Sequence, residues 1–565
     1  MGQGAAVKNW RGPSERTSQG RRRLVMVAGT AAATSSLAAI GCRPATPSLP
    51  VGGFVASAMA DGHRWRDGKD WASAGAPAGR TRRVDVVIAG GGVAGLAAAR
   101  ALRMRGREDV VVLEAEDTLG GNARSTTMGA WSCPLGAHYL PVPALHDEDL
   151  LALCDELGLA RRQGSRWVWN ERHLCHSPQE RLFFRGTWQE GLLPAQGLPA
   201  AAQDQFGRFA RAVESARQLA DWRIPVLNRP LAGMQLSLNA INFDDWLGQL
   251  GFDDPHLRWY LDYCCRDDYG AGTATVSALA GVAYFASRHG FAHPDTGSGS
   301  DGASGSESAG VFTWPEGNAW LVQRLARHLA PERVLASHLV TRVEVERDGV
   351  QVNAVDLRSG EPQRWLARAC VLALPMHVAR RVLVSPPQAL LEAARDTRHS
   401  AWVLVNLHLR EALADRPGAA PAWDNVVFGG RGLGYVDAAH QSLRAARGAG
   451  VITWYAALGA SFHARQILQS AGWAHWYQMA LDDLKAPHPE LPDLVRDVSV
   501  ARHGHAMAVP VPNSLGTAAR QALHPDTMRT MQPRSRLWFA HSDIAGYSVF
   551  EEAFALGHRA GMGIA

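Results

Sequence analysis

The chain has 565 residues, of which 46% are hydrophobic and 20% charged, and a formal net charge of +5. These proportions belong to a folded globular protein and exclude bulk disorder or a small disulfide-dense scaffold. A small charge scattered over so long a chain leaves no basic stripe, so nucleic acid is not expected as a partner.

Arg21-Arg22-Arg23 precede a weakly apolar run, residues 24–40, diluted by Gly29, Thr30, Thr34, Ser35 and Ser36. The run is shorter and more polar than the ~20 apolar residues that span a bilayer. A charged start, an apolar middle and small residues at the end describe an export signal. The arginines followed by Leu24-Val25 resemble a twin-arginine signal, a route for folded proteins. Leu37-Ala38-Ala39-Ile40-Gly41-Cys42 resembles a lipoprotein cleavage box, with Cys42 as the lipidated residue. The expected location is therefore periplasmic or membrane-anchored; the alternative is a cytoplasmic chain with an N-terminal tail. Residues 42–82 are rich in Gly, Ala, Pro, Ser and Asp without sustained periodicity and read as a linker.

From Arg83 the pattern changes. The β-branched run 84–89 reads as a strand buried on both faces. Gly90-Gly91-Gly92-Val93-Ala94-Gly95 follows at once, then an Ala- and Leu-rich helix over 96–105 and a second strand over 110–113 ending at Glu114. Glu114 stands 19 residues beyond Gly95, close to the ~20 expected for an acid that binds a ribose. Gly90 permits the turn, Gly92 lets the backbone approach a pyrophosphate, and Gly95 lets helix and strand pack closely. Strand, glycines, helix, strand and terminal acid in one unit predict a dinucleotide site, with the helix N-terminus facing the phosphates.

The next stretch, Ala115-Glu116-Asp117-Thr118-Leu119-Gly120-Gly121-Asn122-Ala123-Arg124, resembles the flavin-containing amine oxidase superfamily, which includes phytoene desaturases and protoporphyrinogen oxidases. The resemblance implies FAD, with Gly120 and Gly121 closing a loop on its pyrophosphate and Arg124 beside them. The arginine that usually follows the glycine pair is replaced here by Asn122. Gly136-Ala137-His138-Tyr139 is similar to the segment that passes near the flavin, where His138 reads more readily as a packing or hydrogen-bonding residue than as a catalyst. Residues 312–318 and a helix over 319–329 resemble the return to the cofactor domain. Strands over 334–345, 349–356 and 369–374 follow, with Val340 as the expected adenine contact. Near the C-terminus the strand 537–540, Asp543, Tyr547 and the helix opened by Glu551-Glu552-Ala553 resemble the family's closing signature. Asp543 is the expected ribityl ligand, Glu551 a further cofactor residue, and Tyr547 one aromatic wall of the substrate site. A purely NAD-dependent dehydrogenase would lack this closing segment.

The implied fold is α/β: a Rossmann-type FAD-binding domain, discontinuous in sequence, with an inserted α+β substrate domain carrying an antiparallel sheet. The expected boundaries are 1–41 signal, 42–82 linker, then cofactor-binding parts at 83–145, 312–384 and 500–565. Substrate parts are expected at 146–311 and 385–499. Helices are expected over 147–157, 203–222, 243–250, 276–286 and 466–484, strands over 402–409, 425–428 and 451–457, and a Gly/Ser-rich flexible loop over 295–310. Trp402, Trp454 and Tyr455 are candidates for the substrate cavity, although core packing explains them more readily.

The seven cysteines show neither C-x-x-C pairs nor zinc-ligand spacing with histidine, so no metal is expected. No cysteine falls within 503–514, where some relatives attach FAD covalently, so non-covalent FAD is expected. The family's lysine near the flavin is missing from strand 400–409, with Val403 near its place; the lysines are Lys8, Lys69 and Lys485. The expected reaction is hydride transfer from a C–H of a small amine, or of an apolar polyene-like substrate, to flavin N5. Oxygen or another electron acceptor stays open, and with it oxidase against dehydrogenase. The alternative is a flavin-binding lipoprotein with a structural or electron-relay role.

Overall fold

The strand β2 (Thr81–Ala89) opens the cofactor sheet, and its last four residues, Val86 to Ala89, are buried with no exposure at all. That is the signature of a central parallel strand covered on both faces. The protein is seen here as a computed structural model that describes residues 49–68, 81–194, 196–226, 230–291, 310–442 and 448–565. The expected export signal and Cys42 lie outside the described residues, as does the expected loop 295–310 apart from Gly310.

After β2 come α2 (Val93–Met104) and β3 (Val110–Leu113), and β2 pairs in parallel with β3. The sheet has seven strands. Val334–Leu335 extends it beyond β3, and Pro362–Leu372 lies on the other side of β2, parallel to it. Val350–Asp356 and His338–Val345 continue antiparallel, and Leu537–Phe539 pairs with the upper part of Pro362–Leu372. The strand expected over 334–345 is two strands, broken where Ser337 takes a positive φ of 59°. Helix Phe550–Gly563 lies across α2 because Gly557 has no Cβ; one built there would stand 2.0 Å from the Ala94 carbonyl oxygen.

An eight-stranded sheet forms the second layer, and most of its neighbouring pairs are antiparallel. Its spine is Arg398–Leu409 between Val495–Val509 and Gly450–Ala457. Glu180–Phe184 and Thr187–Glu190 complete the far edge. The near edge is β1 (Val51–Phe54), parallel to Val495–Val509, and α1 (Met59–Arg66) follows it. This corrects the reading of 42–82 as linker: elements of four and eight residues are too short to show periodicity, but here they dock on existing structure. Val495–Val509 also crosses the expected boundary at 500, because a continuous strand serves both β1 and the spine.

Helix Pro255–Tyr269, not expected from sequence, starts at a well-formed cap: the Asp254 carboxylate accepts the N–H groups of His256 and Leu257, with Pro255 following. The single helix expected over 466–484 is two, Phe462–Ser470 and Trp473–Leu484, interrupted at Ala471-Gly472. The six cysteines of the described residues are free thiols. Among the described residues no helix is long and apolar enough to cross a membrane.

Candidate functional site: a dinucleotide cavity beside an aromatic interior

A cavity of about 740 Å³ opens at the C-terminal ends of β2 and β3, within the range of cofactor pockets and at the place where such sheets bind ligands. Gly90, Gly92, Val93, Ala94, Glu114 and Ala115 line it, and so do Gly120, Gly121, Arg124 and Val340. Gly95 does not. Its missing Cβ would stand 1.9 Å from the Gly90 carbonyl oxygen, so this glycine serves the contact between turn and helix. Gly92 is different: a Cβ there would meet no protein atom nearer than 3.9 Å, at Gly121. The space between the two glycine loops is therefore kept open by the absence of side chains.

Glu114 receives the backbone N–H of Gly91 at 2.7 Å on one oxygen and that of Glu116 at 2.9 Å on the other. Burial raises its pKa above the ordinary carboxylate value, while these bonds and Arg124 oppose the rise. Glu116 does work that sequence reading did not assign. Its Oε2 holds the Arg124 guanidinium at 3.1 Å and accepts the Ala58 N–H at 2.9 Å, while its Oε1 accepts the Ser57 hydroxyl at 3.0 Å. Glu116 thereby ties the start of α1 to the cavity rim, where Met59, Gly62, His63 and Arg66 form part of the lining.

The C-terminal segment departs from expectation. Asp543 is 1% exposed and does not line the cavity; its neighbours His541 and Ser542 do. The Asp543 carboxylate instead accepts the Met376 N–H at 3.0 Å and meets His399 Nε2 at 3.0 Å. Burial would raise this carboxyl, but His399 and His541 outweigh it and hold the pKa well below the ordinary range. Glu551 lies buried in the first turn of Phe550–Gly563, while Val549, Phe550 and Ala553 supply the lining. Tyr547 is also off the cavity: 1% exposed, it packs 5.6 Å from the Tyr269 ring in the interior core.

A histidine cluster appears that no local spacing signalled. His377, His399, His505 and His541 come from four separate segments to the cavity wall. His377 stacks on His505 at 4.3 Å, and burial together with these imidazoles pushes its pKa down to about 2. His377, His399 and Asp543 bring ligand-type atoms within 4.8 Å of one another. The expectation of no metal rested on cysteine spacing, which has no bearing on this group.

Beyond Ala137 on the cavity rim, His138 leads into an aromatic interior. Its ring lies 5.0 Å from Tyr455 and 5.6 Å from Trp423. The Trp402 and Tyr455 rings are parallel within 4° at 6.4 Å. Val403 faces the opposite core with Trp454, so the inward position on this strand belongs to Trp402, whose indole N–H is buried without a partner. Trp454 is thereby removed from the cavity candidates.

The sequence model of the flavin containing amine oxidoreductases matches residues 93–560. The chain belongs to this family. A putrescine oxidase from Kocuria rosea is 44% identical over 82 residues, 14% of this chain and 16% of the relative. A putative flavin-containing monoamine oxidase from Mycobacterium tuberculosis is 27% identical over 271 residues, 48% of this chain and 54% of the relative. The chain thus matches about half, or less, of the length of these curated relatives. Among solved structures, putrescine oxidase bound to putrescine aligns with a TM-score of 0.58 at 17% identity, covering 86% of this chain and 99% of that one. Cyclohexylamine oxidase from Brevibacterium oxydans aligns with a TM-score of 0.59 at 17% identity, covering 85% and 97%. These likenesses establish the fold.

As a member of this family the chain takes FAD as its cofactor. The cavity fits FAD on its own terms: two facing glycine loops leave a gap that a Cβ would fill, and a buried carboxylate stands at the end of β3.

Proposed function

We propose that the chain oxidises an amine by hydride transfer from the carbon beside nitrogen, with FAD bound non-covalently. The observation that carries this reading is the aromatic interior that begins at His138, next to the FAD cavity. FAD, when bound, supplies the two-electron acceptor, so that the amine leaves as an imine that water converts to a carbonyl compound and ammonia or an amine. Among the described residues no cysteine lines the cavity, in keeping with non-covalent FAD.

The residues of the chain divide the remaining work. Gly92, Gly120, Gly121 and Arg124 would hold the pyrophosphate, Glu114 a ribose and Val340 the adenine. Ser542, rather than Asp543, would reach the ribityl chain, because Ser542 lines the cavity. The faces of Trp402, Trp423 and Tyr455 would hold the uncharged amine against apolar ring surface and exclude water, leaving the nitrogen lone pair available as the hydride departs. His138 Nδ1 stands 3.0 Å from the Gly136 carbonyl, so its proton is carried there and Nε2 is left as an acceptor. Burial pushes the His138 pKa down to about 4, so the ring is neutral and does not donate a proton to the uncharged amine.

Export by the twin-arginine-like segment, with lipidation at Cys42, belongs to the same proposal. The experiment is product analysis: flavin-loaded protein incubated with amines should release a carbonyl product. Peroxide formed in air identifies an oxidase, and turnover only with an artificial acceptor identifies a dehydrogenase. Absence of carbonyl product with every amine and acceptor would overturn the reading and favour the electron-relay alternative.

A further inference from the structure

Five separate segments each bring one histidine to the same wall of the FAD cavity. His63 lies on α1, His377 at the start of the short helix Met376–Val382, and His399 at the start of the spine strand Arg398–Leu409. His505 comes from Val495–Val509, and His541 follows the strand Leu537–Phe539. Three of the rings pack against one another: His377 and His505 at 4.3 Å, His377 and His399 at 5.1 Å, His399 and His505 at 5.5 Å. His63 lies near His505 at the rim. Behind the rings stands the Asp543 carboxylate, and ligand atoms of His377, His399 and Asp543 all fall within 4.8 Å of one another.

Contacts outside this group hold its members in place. Asp543 Oδ2 accepts the Met376 N–H at 3.0 Å, so the carboxylate itself fixes the chain next to His377. His541 Nδ1 lies 3.4 Å from the other carboxylate oxygen. Arg465 donates to the His399 carbonyl at 3.1 Å, and the Arg520 guanidinium donates to the Asp543 carbonyl. Outer contacts of this kind are what orient the ligands of a metal. A separate observation points to a ligand: His377 Nδ1 is buried without a hydrogen-bond partner. A buried polar atom left alone is costly, and the natural partner of a bare imidazole nitrogen is a proton donor or a metal ion.

We propose that His377, His399 and Asp543 bind a zinc ion in the wall of the FAD cavity, with His505 as the adjoining imidazole. Two imidazoles and a carboxylate are a donor set that suits zinc. Ligand atoms around one tetrahedral zinc stand about 3.4 Å apart. His399 Nε2 and the Asp543 carboxylate, at 3.0 Å, are already close to that spacing. Closure of the site therefore falls to His377, which breaks no hydrogen bond at Nδ1 by moving. The ion takes the place of the proton between His399 and Asp543, and that proton leaves to solvent. Its work is structural: it joins the start of Met376–Val382, the start of the spine strand and the closing segment, three stretches far apart in sequence. The inference is independent of the substrate.

The test counts metal rather than turnover. Flavin-loaded protein is stripped with a chelator, dialysed against zinc, and its bound zinc measured by atomic absorption. The parent should take up one zinc per chain. Cobalt(II) in place of zinc should give the visible bands of a four-coordinate site, to the red of the flavin absorbance. His377→Phe keeps a ring against His505 and strands no hydrogen-bond partner, so it should fold. It should weaken zinc binding by about a hundredfold and abolish the cobalt bands. His399→Gln, which retains a donor for Asp543, should do the same and carries the test if His377→Phe fails to fold. A parent that takes up no zinc, or variants that bind it as tightly as the parent, would overturn the site.

Discussion

Asp543 and His399 stand 3.0 Å apart, carboxylate oxygen to imidazole Nε2, behind the wall of the FAD cavity. Both are buried, at 1% and 6% exposure of their side chains. Removing one partner strands the other, so Asp543→Ala should cost about 3–5 kcal/mol in urea unfolding at neutral pH. The folded-state pKa of Asp543 is depressed, so its contribution is complete above the unfolded value of about 4 and is lost as pH falls through the lower folded value. Asp543→Asn should therefore flatten the acid side of the stability curve. An unchanged acid limb would refute the assigned ionic role.

The glycines of the first turn should separate binding from folding. Gly92→Ala adds a Cβ that no protein atom opposes within 3.9 Å, so the protein should fold normally and bind FAD poorly. In Gly95→Ala the new Cβ meets the Gly90 carbonyl oxygen at 1.9 Å, and the cost should exceed the ~3 kcal/mol typical of overpacking. Circular dichroism and flavin content after reconstitution check both variants. Full flavin retention in Gly92→Ala would contradict the placement of the pyrophosphate.

Glu116 offers a third test, because its carboxylate ties Arg124, Ser57 and the backbone of Ala58 together. Hydrogen bonds to a charged group are worth about 1.5–3 kcal/mol each. Glu116→Ala should release α1 from the cavity rim, speed proteolytic cleavage within residues 55–68, and raise the FAD dissociation constant about tenfold. Equal protease sensitivity in parent and variant would contradict the strap.

What was legible in the sequence is local. The run from β2 to Glu114 declares itself because each glycine, apolar position and acid has a fixed spacing set by one turn of chain. Gly120 and Gly121 were legible through the family resemblance of the stretch that carries them, and they line the cavity. The closing segment was legible only in outline: Asp543 looks like the ligand because it is the acid after the strand, yet Ser542 is the residue the chain turns to the cavity. The histidine cluster was invisible, and so was the pairing of Glu180 with Asp424 on adjacent strands, since each joins segments far apart in sequence. β1 and α1 were missed because so short a strand and so polar a helix carry no pattern until they dock. Val403 shares the opposite core with Ala401 and Val405, and the regular alternation along Arg398–Leu409 gives the inward face to Trp402 and Leu404.

Glu180 also predicts a pH effect on the free protein. Its folded pKa of about 7 lies above the usual carboxylate value. Its contribution is therefore full below about pH 4, the unfolded value, and is lost as pH rises through about 7. Asp424, paired with it in the register, and Tyr260 and Cys264 stand near it. Glu180→Gln should remove part of the fall in thermal stability between pH 5 and 8, roughly the span of that titration. An identical pH profile would contradict the placement of Glu180 beside Asp424.

The most direct measurement of the central claim is anaerobic. Purified protein loaded with FAD should show the oxidised-flavin absorbance, and an aliphatic amine added without oxygen should bleach it in proportion to amine until the flavin is reduced. A protein that binds FAD but is bleached by no amine, while dithionite still reduces it, would contradict the account.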